Sequence, residues 1–416
     1  MTAALRRSVD SLHVANYRRY FAGQLISITG NWMQMVAEMW LIVRLTDSGL
    51  AVGVTAALQF LPILLLGAYG GVIADRVDKR RLLMVTQTLM MVPAVTLWAL
   101  TASGHVTVLI VYGCVLLRGS ILALDNPTRQ AFVAELVGPE RVVNAVSLNS
   151  VIVHTSRIIG PALAGTMIAL VGVAPCFLAN ACSFLAMLVV LHRVDPAALF
   201  SSPPVARAAG QVRAAFAEVV RRPELRIPLV MMAVVGTLSF NFQILLPLLA
   251  RFTWHGTAAT YALMTAAMGV GSVAGALTAG ARGRVSAELL TGSAALFGLA
   301  ELGVAAAPTL AVQSLALVPL GAASVTFAAG INSSLQLAAG PEWRGRVMAL
   351  YSVVFLGSTP IGAPLVGWLA EIGGPRVGLL VGASAALAAA VYGQIAFGQR
   401  AYLTRAILAA THLGRG

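Results

Sequence analysis

The charged stretch from Asp75 to Arg81 limits the possible folds of this chain more than any other feature of its sequence. Six of its seven residues carry a charge. It lies between the runs Ala51–Ala74 and Leu82–Gly104, neither of which contains a charged residue. Each run is long enough for a helix that crosses about 30 Å of hydrocarbon. Since charged side chains are costly within a bilayer, we expect this short segment to lie at a membrane face.

Composition places the whole chain among the polytopic membrane proteins. Of its 416 residues, 58% are hydrophobic and 10% are charged, whereas about 25% are charged in a typical soluble protein. The net charge of +13 would suit nucleic acid, but basic residues also gather in the cytoplasmic loops of membrane proteins. We therefore predict contact with the lipid bilayer and no nucleic acid partner. The three cysteines lack metal-ligand spacing, and we expect no metal and no cofactor.

Apolar runs of about 20 residues recur along the chain and predict twelve transmembrane helices. Pro127 is expected to end the fourth of them after Asp125, because proline disfavours the helical conformation of the residue before it. The predicted regions are a cytoplasmic tail (1–19), an N-terminal six-helix half (20–192), a cytoplasmic linker (193–226), a C-terminal six-helix half (227–398) and a second cytoplasmic tail (399–416).

Basic residues are distributed unevenly among the predicted loops. Of the 28 Arg and Lys, 23 lie in the tails and in the loops after even-numbered helices, and three lie in the loops after odd-numbered helices. Basic residues concentrate in cytoplasmic loops. We therefore predict that both termini, the charged segment and the central linker lie in the cytoplasm.

An internal repeat divides the chain near its middle. Residues 138–172 align without gaps on residues 340–374, with 12 identities at an offset of 202. Such an offset predicts two homologous halves, and parallel repeats of this kind are known in transporters. At the same offset Phe240 aligns with Glu38, an acidic residue of predicted helix 1. The second half lacks this acid, so we expect a proton-binding site in the N-terminal half alone.

A polar stripe runs along one face of helix 1. Its members are spaced by three or four residues, which places them on one side of a helix. They are Gln24, Ser27, Asn31, Gln34 and Glu38. A polar face avoids lipid, and we favour a water-filled cavity over interhelical hydrogen bonding, which remains the alternative. We expect Asn31 and Gln34 to line a substrate cavity together with Asn241 of helix 7.

Glu38 is the strongest candidate for a proton carrier. Burial disfavours the charged form of a carboxyl group, so such a group can take up and release protons. The alternative is a fixed ion pair, for example with Arg44. Arg118 in helix 4 and Arg157 in helix 5 are candidate partners of Glu38 or contacts for an anion. His154 is a second possible proton carrier, although a structural role is the more common one for a lone histidine.

Several motifs together resemble one family of transporters. The pattern G-x-x-A-D-R-x-D-K-R-R that begins at Gly71 resembles the loop between helices 2 and 3 of the major facilitator superfamily. Gly160-Pro161-Ala-Leu-Ala-Gly165 is similar to the helix 5 motif of its antiporters. Further similar segments are Phe21–Gln34, Asn126–Gln130 and Arg344–Leu350, which look like the bacterial branch of drug/proton antiporters and siderophore exporters.

The resemblance implies an all-α membrane protein with twelve transmembrane helices in two homologous six-helix halves. It further implies proton-coupled export of drugs or siderophores by alternating access across the bacterial inner membrane, by a monomer. A lipid flippase, an importer and a non-transporting sensor are the alternatives. We expect no enzyme activity, since the sequence has no Walker A motif and no serine elbow.

The resemblance also assigns roles to two groups of residues. The first is a cytoplasmic gate, in which the basic loop residues pair with Asp125 or Glu135; the alternative is a plain positive anchor. Its members are Gly71, Asp75, Arg76, Asp78, Lys79, Arg80 and Asp125. The second is a packing motif of helix 5, in which glycine permits close approach of helices and proline removes a hydrogen bond. Its members are Gly160, Pro161 and Gly165.

Overall fold

A computed structural model describes residues 10–200, 211–281 and 286–413, and this part of the chain is almost entirely helical. Ten long helices are continuous. They are α1 (Ala15–Thr46), α2 (Gly49–Arg76), α3 (Lys79–Ala102), α4 (Val108–Val137), α5 (Val142–Val171), α6 (Ala174–Arg193), α8 (Ala258–Ala281), α9 (Ala287–Ala306), α10 (Leu310–Ala338) and α12 (Pro375–Leu413). Short helical turns lie at Asp10–His13, Pro139–Arg141 and Pro196–Ala198, and the linker contains a helix at Gln211–Arg221.

Two further helices are broken. The seventh consists of α7a (Pro223–Leu238) and α7b (Phe242–Leu248), followed by a π-helical turn at Leu249–Thr253. At the break, Asn241 Nδ2 donates to the Thr237 carbonyl over 2.8 Å, so a side chain satisfies a carbonyl that the helix no longer uses. The eleventh consists of α11a (Gly340–Gly357) and α11b (Thr359–Gly373).

Eleven segments of the described chain are long and apolar enough to cross a membrane. The helix α1 is not among them, although its 32 residues give it ample length. The polar stripe along α1 replaces apolar residues at five positions, which lowers its hydropathy. The predicted all-α membrane fold is confirmed, and its least apolar helix is the one that carries the candidate proton site.

The fourth helix does not end at Pro127, so that prediction is wrong. The helix α4 continues to Val137 and ends at Gly138, which has a positive φ of 74°. Pro127 has no N–H, so the carbonyl of Ala123, four residues earlier, receives no bond from it. A Cβ on Gly70 would overlap that carbonyl oxygen. The helix α2 therefore approaches α4 closely at Gly70, next to the Ala123 carbonyl that has lost its hydrogen bond.

The described helices fall into two compact units. Among the described residues, unit 1 comprises 10–200, 243–269 and 363–372, and unit 2 comprises 211–242, 270–281, 286–362 and 373–413. Within unit 1, α3 packs on α6, α2 packs on α4, and α1 packs on α5 and α6. Within unit 2, α9 packs on α10 and α12, and α7a packs on α12. Each candidate site described below lies inside one of these units.

Candidate functional site

A buried ion pair lies between α1 and α4. Glu38 Oε2 and Arg118 Nη2 are 2.5 Å apart. The exposed fraction is 0% for Glu38 and 2% for Arg118. Arg44, which the sequence offered for a fixed ion pair with Glu38, is exposed to solvent. The structure therefore brings Glu38 to Arg118, one of the two arginines that the sequence proposed as its partner.

A chain of hydrogen bonds leads from α6 to the other oxygen of Glu38. Ser183 donates to Asn180 Oδ1 over 2.8 Å, and Asn180 donates to Gln34 Oε1 over 2.6 Å. Gln34 then donates to Glu38 Oε1 over 2.8 Å. Gly30 makes room for this chain, since a Cβ there would overlap the Asn180 side chain. Every donor in this chain points toward the Glu38 carboxylate.

The polar stripe of α1 faces neighbouring helices and not a cavity. Gln24 donates to Asn149 over 2.7 Å, and Ser27 donates to Gln87 over 3.3 Å. Gln24, Ser27, Gln34 and Glu38 are all buried. These four residues therefore make interhelical polar contacts, as the alternative expected, and the cavity role of Gln34 stays a prediction.

Asn31 and Asn241 keep one free acceptor each. Asn31 is half-buried, and its Oδ1 has no hydrogen-bond partner within the described residues. Asn241 is 1% exposed; its Oδ1 likewise lacks a partner there, while its Nδ2 bonds Thr237. Asn31 is thus the member of the stripe that remains available to a ligand.

Arg157 does not pair with Glu38. Its guanidinium carbon lies 5.4 Å from the ring centre of Trp32, in a cation–π arrangement. Both side chains are half-buried, and Trp32 adjoins Asn31 on α1. The side chain of His154 lies outside the part of the chain that the structure describes. Arg157 and Trp32 thus bring a cation and an aromatic face together between α5 and α1, and the Asn31 amide precedes Trp32 in the chain. We call these three residues the α1–α5 patch.

The charged loop is held to α4 and α6. Lys79 Nζ lies 2.6 Å from Glu135 Oε1, and both side chains are largely buried. Arg80 donates to the carbonyls of Leu191 and His192 over 2.7 and 2.9 Å. The expected pairing of the loop with Glu135 is confirmed.

Other members of the predicted gate have simpler roles or are not described. Asp78 caps α3 by accepting from the Arg81 N–H over 2.8 Å. Arg76 is exposed and Gly71 is buried. The side chain of Asp75 lies outside the described part of the chain.

Asp125 is bonded to no loop residue that the structure describes, so its expected pairing with the loop is wrong, whereas its role in a gate stays a prediction. Its carboxylate is bonded to Arg129, one turn later in α4. It also accepts from Thr86 over 2.6 Å and from Gln87 over 2.9 Å, both on α3. Arg129 in turn donates to Ser27 of α1 over 3.4 Å. Asp125 therefore ties α1, α3 and α4 together.

The helix 5 motif supplies close contacts. The helix α5 continues through Pro161 without a break. A Cβ on Gly160 would lie 2.5 Å from Trp32 Cβ and 2.8 Å from the Thr29 carbonyl oxygen. A Cβ on Gly165 would overlap the methyl group of Ala262 in α8. These two glycines set the distance of α5 from α1 and from α8.

Segments from α2 and α11b also meet closely within unit 1. A Cβ on Gly53 would overlap the carbonyl oxygen of Ala363, and a Cβ on Gly49 would overlap that of Gly367. Glu371 accepts hydrogen bonds from Ser48 Oγ over 2.6 Å and from the Leu50 N–H over 2.9 Å, so it caps the first turn of α2. The nearby pair Asp47–Arg251 spans 3.2 Å.

We expect the Lys79–Glu135 pair to be required for transport as a pair. Replacing Lys79 by Glu leaves two partly buried carboxylates together, which should lower transport about tenfold or more. The exchanged double variant Lys79→Glu/Glu135→Lys should recover most of the rate. Initial transport rates measure both. A double variant as impaired as the single one would show that the loop acts only as a positive anchor.

Comparison with known proteins places the chain in a family. The sequence profile of the transmembrane secretion effectors, a family of the major facilitator superfamily, matches residues 8–406. The chain belongs to this family. The match covers α1 through most of α12, including every residue of the sites above.

Two relatives of this chain are named for the transport of staphyloferrin A and enterobactin. It is 34% identical to the staphyloferrin A transporter of Staphylococcus aureus over 176 residues, which is 41% of this chain and 44% of the relative. It is 27% identical to the enterobactin exporter EntS of Citrobacter koseri over 281 residues, which is 66% of this chain and 65% of the relative. The chain thus aligns with less than two thirds of each of these relatives.

Solved transporters share the fold of this secretion effector. The nucleoside transporter NupG matches with a TM-score of 0.72 over 92% of this chain and 99% of its own, at 11% identity. A bacterial homologue of the iron transporter ferroportin matches with a TM-score of 0.71 over 92% and 98%, at 15% identity. At such identities the likeness concerns the fold alone, a multi-pass membrane transporter fold.

One buried acid was missed by the sequence analysis. Glu301 of α9 is 0% exposed. The signal was present, since Glu301 is a lone charged residue deep in an apolar run of the second half. The repeat aligns Glu38 with Phe240 of the seventh helix, so it gives no indication of an acid in α9.

Proposed function

We propose that this secretion effector exports a small anionic molecule of the siderophore class in exchange for protons, by alternating access across the bacterial inner membrane. The observation that carries the proposal is the buried Glu38–Arg118 pair, with its hydrogen-bond chain on α1 and α6. The names of the relatives, a staphyloferrin A transporter and an enterobactin exporter, support the substrate class.

Protonation of Glu38 would disrupt the site that holds α1 in place. A neutral carboxyl group no longer balances Arg118, and an uncompensated buried charge costs about 3–5 kcal/mol. That energy is enough to change the relative populations of two conformations. Proton uptake at Glu38 is thereby linked to movement of α1 relative to α4.

The α1–α5 patch is our candidate for the substrate contact. Arg157 offers a positive charge to an anion, Trp32 offers an apolar face, and Asn31 offers an amide. Glu38 and Trp32 both lie on α1, six residues apart, so they are about 9 Å apart along the helix axis. A shift of α1 on protonation would alter the patch. Substrate and proton would then exclude each other through the position of one helix, as exchange requires.

Direction and substrate can be tested in membrane vesicles of both orientations. Enterobactin and staphyloferrin A serve as probes, with a pH gradient as the driving force. We expect accumulation in inverted vesicles when the lumen is acidic, and none in right-side-out vesicles when the external medium is acidic. Accumulation in right-side-out vesicles would identify an importer. Translocation of labelled phospholipid alone would identify a flippase, and no movement of any probe would contradict transport of these substrates.

We expect Arg157→Gln to weaken substrate binding without removing proton coupling. Loss of one charge-assisted contact, worth about 1.5–3 kcal/mol, should raise KM about tenfold or more while kcat changes little. Trp32→Leu should raise KM to a smaller extent. The control is Arg18→Gln, an exposed arginine of α1. An unchanged KM in Arg157→Gln would remove the α1–α5 patch from the substrate site.

A further inference from the structure

Glu301 is a fully buried acid in unit 2 that the proposed function does not use. Its exposed fraction is 0%. Neither carboxyl oxygen has a hydrogen-bond partner within the described residues. Desolvation of an unpaired carboxylate is so costly that such a group takes up a proton instead. Glu38 differs, because each of its two carboxylate oxygens is bonded to another side chain.

The surroundings of Glu301 are apolar and tightly packed. A Cβ on Gly382 of α12 would overlap the Glu301 carboxyl group, which lies against the helix backbone there. Phe297, one turn earlier on α9, contacts Phe240 with ring centres 5.1 Å apart. Phe240 itself contacts Phe355 at 5.7 Å. The acid therefore lies beside an aromatic cluster that includes the break in the seventh helix.

Gly382 of α12 also contacts the break in the seventh helix. Ser239, the first residue after α7a, donates its hydroxyl to the Gly382 carbonyl over 2.6 Å. Gly382 is thus in contact with Glu301 on α9 and with Ser239 at the break. Movement of the break relative to α12 would change both contacts together.

The charged and titratable groups on the neighbouring elements are remote from this carboxyl group. On α12, Arg376 donates to the Ala307 carbonyl over 2.8 Å; Ala307 is six residues beyond Glu301, or about 9 Å along the axis. Tyr392 lies ten residues beyond Gly382, about 15 Å along α12. The helix α10 contains no titratable residue. The charged residues of α7a are Glu224 and Arg226 at its start, and α9 itself also carries Glu288 in its first turn.

We propose that Glu301 is a second proton-binding site, in the C-terminal half, which is protonated when Ser239 is bonded to Gly382 and releases its proton when the break moves off α12. In the state described here the carboxyl group is neutral and lies among apolar groups. Ionisation requires donors or water, and only displacement of the break admits them. Protonation of Glu301 therefore favours the conformation in which the break is held against α12.

Infrared spectroscopy of the purified full-length protein tests this site without any substrate. Wild-type protein at neutral pH should show the C=O stretch of a protonated carboxylic acid, and Glu301→Gln should lack that band. The matched control is Glu288→Gln, an exposed glutamate of the same helix, which should keep it. Gly382→Ala provides a second variant, since the added methyl group displaces the carboxyl group and should shift the band. A spectrum of Glu301→Gln that keeps the whole band would overturn the proposal.

The pH dependence of the transport rate then distinguishes a proton-binding site from an acid with a purely structural role. We expect the rate of Glu301→Gln to lose its dependence on pH in the range where wild type responds, while Glu288→Gln follows wild type. An unchanged pH profile in Glu301→Gln, even with the band lost, would overturn the proposal. The test is independent of the role of Glu38: coupling that survives in Glu38→Gln would contradict the proposed function and leave the Glu301 band unaffected.

Discussion

Replacement of Glu38 by glutamine should abolish transport driven by a pH gradient while the protein remains in the membrane. Glutamine has the shape of the neutral acid but cannot bind or release a proton. The variant also leaves Arg118 buried without its partner, so we expect a loss of about 3–5 kcal/mol in the free energy of unfolding. Both effects are large because the pair is almost fully buried.

The double variant Glu38→Gln/Arg118→Met separates coupling from stability. It removes both charges of the pair, so thermal stability should return toward the wild-type value. Gradient-driven transport should stay absent, because no titratable group remains at the site. The control is Glu140→Gln, an exposed glutamate. Gradient-driven transport at the wild-type rate in either Glu38 variant would show that Glu38–Arg118 is a fixed ion pair.

A side chain at Gly53 should slow the transport cycle strongly. A Cβ there would overlap the Ala363 carbonyl oxygen and would lie 2.9 Å from Pro364 Cα. These are backbone atoms, so no side-chain rotation relieves the overlap and α2 must part from α11b. Overpacking costs about 1–3 kcal/mol, and 1.4 kcal/mol corresponds to about a tenfold change in a population. We expect Gly53→Val to lower the transport rate about tenfold or more.

The control for this variant is Gly113→Val in α4. A Cβ on Gly113 meets no atom within 4 Å, so the same change of residue should leave transport unaltered. Rates and membrane levels of both variants are measured in parallel. If Gly53→Val transports like wild type, the contact of α2 with α11b in unit 1 is not part of the cycle. Equal loss in both variants would point to a general intolerance of valine.

Sequence pattern alone predicted the class of fold and the faces of the helices. The spacing of the polar residues on helix 1 showed correctly that they share a side. It did not show what that side contacts, because Asn149 and Gln87, the partners of Gln24 and Ser27, are distant in the chain. The cavity role favoured from the sequence therefore stays a prediction, whereas the hydrogen bonds between helices are observed.

The error at Pro127 has the same origin. Local rules correctly state that proline removes one hydrogen bond, and they predict a helix end. The helix nevertheless continues to Val137, and Gly70, on another helix, lies against the carbonyl that proline leaves free. The sequence likewise could not distinguish Arg118 from Arg157 as the partner of Glu38, because both lie within predicted helices. Only packing places Arg118 against Glu38 and Arg157 against Trp32.

The sign of the proton change on substrate binding tests the central claim most directly. Purified protein in weakly buffered solution is mixed with enterobactin or staphyloferrin A, and the pH of the solution is recorded. If substrate and proton exclude each other through α1, wild-type protein should release protons on binding and Glu38→Gln should release none. Proton uptake by the wild type, or equal release by Glu38→Gln, would contradict exchange at Glu38.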